Sequence, residues 1–179
     1  MKKKIDYRWL IKIVLISVVA SIVFTFASSK VLGLAGHLVA ITVLMVFVAL
    51  GIFFDVIGIA VMTASEAPFH SMAAHRERGA AESLRLIRNA DKVTSFCNDV
   101  VGDVSGIISG STAALIAARL MEGFNTENLL FPLLISGVVT GLTIGGKAAG
   151  KAYAITKSTS IVLRVGKLIN VFRLKRCSK

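Results

Sequence analysis

Four long, almost uncharged stretches dominate this sequence and restrict the folds open to it. About 20 apolar residues in a helix cross the hydrocarbon core of a bilayer, which is roughly 30 Å thick. Hydrophobic residues make up 55% of the chain and charged residues 17%, whereas a soluble domain of this size needs a polar coat. The sequence therefore predicts an all-α integral membrane protein with about four transmembrane helices. The stretches are Trp9–Ser29, Leu38–Met62, Val93–Ala118 and Leu129–Gly146.

The first stretch has two interpretations. It follows a basic start and fits a retained membrane anchor, but Ala27 and Ser29 also fit the small residues that precede a signal-peptide cut. The predicted domains are an N-terminal segment over 1–37, a transmembrane domain over 38–175 and a basic tail over 176–179. Inside the second, 66–92 predicts an amphipathic helical hairpin at the membrane face, and the basic chain after Lys147 predicts an interfacial helix.

The net charge of +11 lies almost entirely on one side of the predicted spans. If the N-terminus is cytoplasmic, 19 of the 21 Lys and Arg residues are inside, and Lys30 and Arg119 are outside. That distribution follows the positive-inside rule. It predicts a multi-pass protein of the cell membrane whose basic face is cytoplasmic and adheres to anionic lipid. Nucleic acid is not an expected partner.

Two stripes of glycine lie four residues apart on the third and fourth spans. Residues at this spacing share one helical face, so each stripe predicts close packing of helices. Exposed carbonyls beside such small residues would alternatively line an ion path. The stripes are Gly102, Gly106 and Gly110, and Gly137, Gly141 and Gly145.

Three carboxylates fall within the predicted spans, at an expected cost of at least about 2.5 kcal/mol each near the bilayer centre. Asp55 is on the second span, and Asp99 and Asp103 are one turn apart on the third, with Asn98 beside them. Carboxylate, hydroxyl and amide oxygens suit a hard cation such as Mg²⁺. The alternative is a buried salt-bridge network with Lys147 or Lys151 as the counter-charge.

Four motifs resemble the transmembrane domain of the CNNM/CorC (DUF21) family. Residues 63–71 (Thr-Ala-Ser-Glu-Ala-Pro-Phe-His-Ser) are similar to its Ser-x-Ser-Glu-x-Ala-Leu segment, and 76–92 to the helical hairpin that follows. Val101-Gly102-Asp103 stands where the family has Gly-Asn, and 146–151 (Gly-Lys-Ala-Ala-Gly-Lys) where it has Gly-Glu-Ile-x-Pro-Lys. The resemblance covers roughly residues 40–175.

The resemblance implies a homodimer that moves Mg²⁺ through an intramembrane site, with Na⁺ as a coupling ion. Thr63 and Ser65 would match the family's serines, and Asp103 its asparagine. Asn98 is a second match, because the register between Asp91 and Gly102 needs a small insertion. The family domain has three spans, so the first stretch adds a fourth, and its CBS domains have no counterpart here. The predicted ligands are Asp55, Thr63, Ser65, Asn98 and Asp103, with Asp99 beside them.

One departure from the family supports a different function. Lys147 stands where the family has glutamate, and a lysine beside a divalent-ion site repels the ion. The alternative is a non-transporting scaffold or regulator in which Lys147 neutralises the buried carboxylates. A third interpretation is a lipid or partner platform built on the basic C-terminal helix. An enzyme is not expected, since no motif places a nucleophile beside a base.

Overall fold

The structure is a computed structural model that describes residues 7–34, 36–124 and 130–177. These residues form helices joined by short connections, and no strand occurs among them. The basic residues Lys2, Lys3 and Lys4 and the last two residues of the predicted tail lie outside the described residues. The helices are α1 (Tyr7–Leu34), α2 (His37–Thr63), α3 (Ala67–Ala74), α4 (Ala80–Arg88), α5 (Ala90–Ser95), a π-helical segment (Phe96–Gly102), α6 (Asp103–Phe124), α7 (Leu130–Thr156) and α8 (Ser158–Cys177).

Four helical stretches of the described chain are long and apolar enough to cross a membrane. The all-helical fold with four such stretches was predicted and is confirmed at that level. No residue is buried in the most apolar part of the first or the fourth stretch. Apolar surface of this extent is compatible with a membrane protein. The stretches are Tyr7–Ala27, Leu38–Thr63, Ala90–Gly123 and Pro132–Thr156.

The fourth stretch ends later than the sequence predicts. Helix α7 passes through Gly145 and Gly146 and continues to Thr156, so Lys147 and Lys151 lie within it. A Cβ atom on Gly146 would collide with the Ile52 side chain, and one on Gly150 would come within 2.8 Å of Val56. Glycine here allows α7 to approach α2 closely and does not end the helix.

The chain divides into two compact units, and each boundary falls inside a helical run. Unit 1 comprises residues 1–51 and 99–145, and unit 2 comprises residues 52–98 and 146–179. Unit 1 has a small core of Ala40, Leu44, Ala113 and Ile116. Phe24 of α1 and Phe47 of α2 meet edge to face, with ring centroids 6.1 Å apart, an arrangement that aromatic pairs prefer.

Most glycines of the two stripes have open space around them. At Gly106, Gly110, Gly137, Gly141 and Gly145, no heavy atom of the described chain outside the local helix lies within 4 Å of a Cβ position. Gly102 differs, since it is buried and its carbonyl lies 3.9 Å from the Cβ position of Gly51. The prediction of close helix packing therefore fails for most of both stripes within the described residues, because no other described helix comes within 4 Å of these Cβ positions.

Unit 2 joins the ends of two apolar helices to the short helices that follow them. Its core consists of Ala60, Val61 and Ala64 near the end of α2, Phe69 of α3, Ala154 of α7 and Val162 of α8. Three residues separate α2 from α3, and one separates α7 from α8. The segment predicted as a helical hairpin is formed by α3 and α4, which contact each other, and α4 also packs along α8.

The backbone of unit 2 is held tightly where α4 meets α8. Gly79 precedes α4 with a φ of 85°, a left-handed conformation that favours glycine. A Cβ atom there would lie 2.5 Å from the Lys167 backbone nitrogen. The buried Ser83 hydroxyl is 2.9 Å from the Gly79 carbonyl and 3.1 Å from the Val162 carbonyl, within hydrogen-bonding distance of both acceptors.

Candidate functional site

The six predicted ligands do not fall in one unit. Asp55, Thr63, Ser65 and Asn98 belong to unit 2, and Asp99 and Asp103 belong to unit 1. Within the described chain, no group of three or more His, Cys, Asp and Glu side chains is placed to hold a metal ion. The surroundings of each predicted ligand are therefore described within its own unit.

Asp55 is paired with a lysine. The Lys147 Nζ atom of α7 lies 3.4 Å from the Asp55 Oδ2 atom of α2, and the side chains are 31% and 14% exposed. The close approach of α7 to α2 at Gly146 and Gly150 places the two side chains beside each other. This contact is the neutralising pair that the alternative interpretation requires. A metal ion bound at Asp55 would need the carboxylate oxygen that the Lys147 ammonium already contacts.

A second polar group lies one turn further along α2, around Gly58. The Thr94 hydroxyl donates a hydrogen bond to the Gly58 carbonyl at 2.9 Å. The Asn98 Oδ1 atom faces Gly58 so closely that a Cβ atom there would collide with it. This oxygen is buried and has no hydrogen-bond partner in the described part of the chain. A buried acceptor without a donor is energetically costly.

Thr63 and Ser65 lie at the far end of α2 from Asp55. With a helical rise of 1.5 Å per residue, Thr63 is about 12 Å along the axis from Asp55. Its hydroxyl donates to the Ile59 carbonyl of its own helix at 2.8 Å, and Ser65 is exposed just beyond the helix end. These hydroxyls and the Asp55 carboxylate therefore do not converge on one ion.

Asp99 and Asp103 lie on and just after the π-helical segment Phe96–Gly102, and both are exposed. Neither side chain forms an ion pair or a hydrogen bond with another described residue. A π-helical turn holds one more residue than an α-helical turn, and such turns occur frequently at functional sites. The π-helical segment contains Asn98, and it lies between Asp91 and Gly102, where the motif resemblance described above needs a small insertion.

Glu66 forms a cluster that the sequence analysis missed. Its carboxylate lies 3.6 Å from the Arg88 Nε atom of α4 and 3.3 Å from the His70 Nε2 atom of α3. The groups are 42–60% exposed, so the pairs contribute little to stability. The Ser-Glu motif of residues 65 and 66 contains this signal, since it places a carboxylate directly after the hydroxyl that was predicted as a ligand.

Comparison with known proteins gives no relative. No family model, curated protein sequence or solved structure matches the chain. Its function is therefore inferred from its own residues and from the motif resemblance.

Unit 2 contains two polar features with possible functions, an internal ion pair and an amide oxygen without a hydrogen-bond donor. The half-buried ammonium of Lys147 offsets the Asp55 carboxylate, and the Asn98 amide oxygen offers one unused acceptor. Mg²⁺ has six oxygen ligands and is usually bound by one or two carboxylates together with several waters. A single amide oxygen does not make up such a site. The arrangement favours an internal ion pair over a complete cation site.

Proposed function

We propose that this chain is a multi-pass membrane protein related to the CNNM/CorC (DUF21) transmembrane domain, acting as a non-transporting scaffold or regulator. The observation that carries the proposal is the ion pair between Lys147 and Asp55. Lys147 stands where the family motif has glutamate, so the substitution brings a positive charge to the carboxylate. In this protein the lysine takes the role that a bound cation would otherwise have.

Electrostatics supports this assignment. Removing both charges from water is costly, and their mutual attraction offsets that cost only while the pair stays together. A divalent ion approaching Asp55 would have to displace the ammonium, leaving this half-buried charge without a partner. Mg²⁺ also demands near-octahedral oxygen ligands at about 2.0–2.1 Å. The one carboxylate present at this position is already engaged.

The distribution of charge supports an orientation with unit 2 at the cytoplasmic face of the cell membrane. The sequence of unit 2 holds 14 of the 21 Lys and Arg residues and five of the ten Asp and Glu residues. Cytoplasmic segments carry such an excess of basic residues. Helices α3, α4 and α8 would then lie at the inner membrane surface.

A second candidate function is Mg²⁺ transport coupled to Na⁺, as the family resemblance implies. The observation that favours it is the buried, unpartnered Asn98 Oδ1 atom in the π-helical segment. An amide oxygen without a donor is a suitable ligand for a hard cation. Under this function, Lys147 would have to move away from Asp55 when the ion enters.

Isothermal titration of the purified protein with Mg²⁺ distinguishes the two functions. The scaffold proposal predicts no saturable heat, because Asp55 is neutralised internally. Transport predicts a saturable heat that is lost in Asn98→Ala. The matched control is Asn89→Ala, since Asn89 is exposed just after α4 and its side-chain amide donates to the Arg85 carbonyl of that helix. Saturable binding that Asn98→Ala abolishes and Asn89→Ala retains would overturn the scaffold proposal.

A further inference from the structure

A cavity of about 450 Å³ lies in unit 2 where the turn between α3 and α4 meets α8. Its volume is within the range of ligand pockets, about 300–1,000 Å³. The groups around it include a guanidinium, an ammonium and a side-chain amide, all of which donate hydrogen bonds. It is lined by Glu77, Arg78, Lys167, Asn170 and Val171.

The walls of this cavity are held in place by backbone contacts beside it. Gly79 follows Arg78 directly, and its backbone lies against that of Lys167. A Cβ atom on Gly166 would collide with the Ser83 hydroxyl, which is itself within hydrogen-bonding distance of carbonyls of both chain segments. The turn and α8 are thereby fixed relative to each other. A preformed site loses less conformational freedom when it binds a ligand.

The charges around the cavity favour an anion. The Lys167 Nζ atom donates to the Glu77 Oε1 atom at 3.1 Å, but the side chains are 47% and 40% exposed. An exposed pair of this kind is weak, and the ammonium has two further hydrogens to donate. Arg78 is exposed and forms no ion pair within the described part of the chain. Two basic residues and one acidic residue therefore line the cavity, and the arginine has no ion-pair partner among the described residues.

The position of the cavity favours a membrane lipid as the source of that anion. Helices α3 and α8 follow the ends of α2 and α7 within three residues and pack on them through Phe69 and Val162. If α2 and α7 span the bilayer, as the proposed function requires, these helices lie at the depth of the phospholipid headgroups. Basic side chains at that depth attract anionic lipids.

We propose that this cavity binds the phosphate of an anionic phospholipid headgroup. Arg78 and Lys167 bind the phosphate oxygens, and the Asn170 amide donates to the headgroup. Glu77 competes with the lipid for Lys167, so it weakens binding. The inference rests on the membrane placement in the proposed function and not on the role of Lys147.

Native mass spectrometry of the full chain in detergent, titrated with phosphatidylglycerol, tests this site. Arg78→Gln is expected to weaken binding about fivefold, the loss of one solvent-exposed ionic contact with the phosphate. Glu77→Gln is expected to tighten it, because Lys167 is released. The matched control is Arg85→Gln, which removes the same charge from an exposed position of α4 outside the cavity and should bind as the wild type does.

Three outcomes would overturn the proposal. Equal weakening by Arg78→Gln and Arg85→Gln would mean diffuse attraction to the basic surface. If phosphatidylcholine bound as tightly as phosphatidylglycerol, the protein would be binding the acyl chains and not the anionic headgroup. If inorganic phosphate bound as tightly as the lipid, the ligand would be a soluble anion. The Mg²⁺ titration compares variants at Asn98 and Asn89, and the lipid titration compares variants at Arg78 and Arg85. Either proposal can therefore fail while the other stands.

Discussion

Replacing Lys147 with alanine is expected to lower the free energy of unfolding by about 3 kcal/mol. The side chain of Asp55 is 14% exposed and has Lys147 as its counter-charge, so the variant leaves a largely buried carboxylate uncompensated. Breaking a buried pair by removing one partner costs more than the pair itself contributes. The measurement is equilibrium unfolding of the purified protein in detergent, followed by helical circular dichroism.

Three companion variants isolate the ion pair. Lys151→Ala removes an exposed lysine one turn further along α7 and should change stability little. Adding Asp55→Asn to Lys147→Ala should recover most of the loss, because the unpaired charge is then gone. Asp103→Asn should leave stability unchanged or raise it. A Lys147→Ala variant as stable as Lys151→Ala, with no recovery in the double variant, would contradict the neutralising role.

The sequence predicted the helical architecture well because its strongest signal is local. Long apolar runs determine where helices can cross a membrane, and neither register nor long-range pairing is needed to find them. The end of α7 was mispredicted because the chain becomes basic from Lys147 onward, and that change predicts the end of the span. Whether a lysine can continue such a helix depends on the neighbouring helix, here on Asp55 of α2, which pairs with Lys147 and which the local sequence does not contain.

The candidate site was less predictable, since it depends on contacts between distant residues. The charge of Lys147 and its position beside a motif were visible in the sequence, so its pairing with a carboxylate was foreseen as an alternative. The π-helical segment leaves no pattern of its own, although the insertion required near Asn98 indicated an irregularity. The cavity around Arg78 joins residues about 90 positions apart, and no periodicity relates them.

Replacing Gly79 with alanine is expected to destabilise the protein by about 3 kcal/mol. The left-handed φ of 85° costs a residue with a Cβ atom about 1–2 kcal/mol. The added atom would also lie 2.5 Å from the Lys167 nitrogen and 2.8 Å from the Gly166 carbonyl carbon, and overpacking of this kind costs about 1–3 kcal/mol. Because the obstacle is backbone, α8 must move away from α4 to relieve it.

Two further glycine variants separate strain from collision in the same unfolding measurement. In Gly166→Ala, the added Cβ atom collides with the Ser83 hydroxyl and the Gly79 carbonyl, but the backbone is not left-handed. This variant should therefore be destabilised by the overpacking cost alone. Since both changes push apart the same two segments, the double variant should lose less stability than the sum of the two single losses.

Gly141→Ala, within α7 and in open space, should stabilise the protein by up to about 1 kcal/mol, because alanine favours the helix. If Gly79→Ala and Gly141→Ala changed stability equally, α4 and α8 would not be in the close backbone contact that fixes the cavity at Arg78.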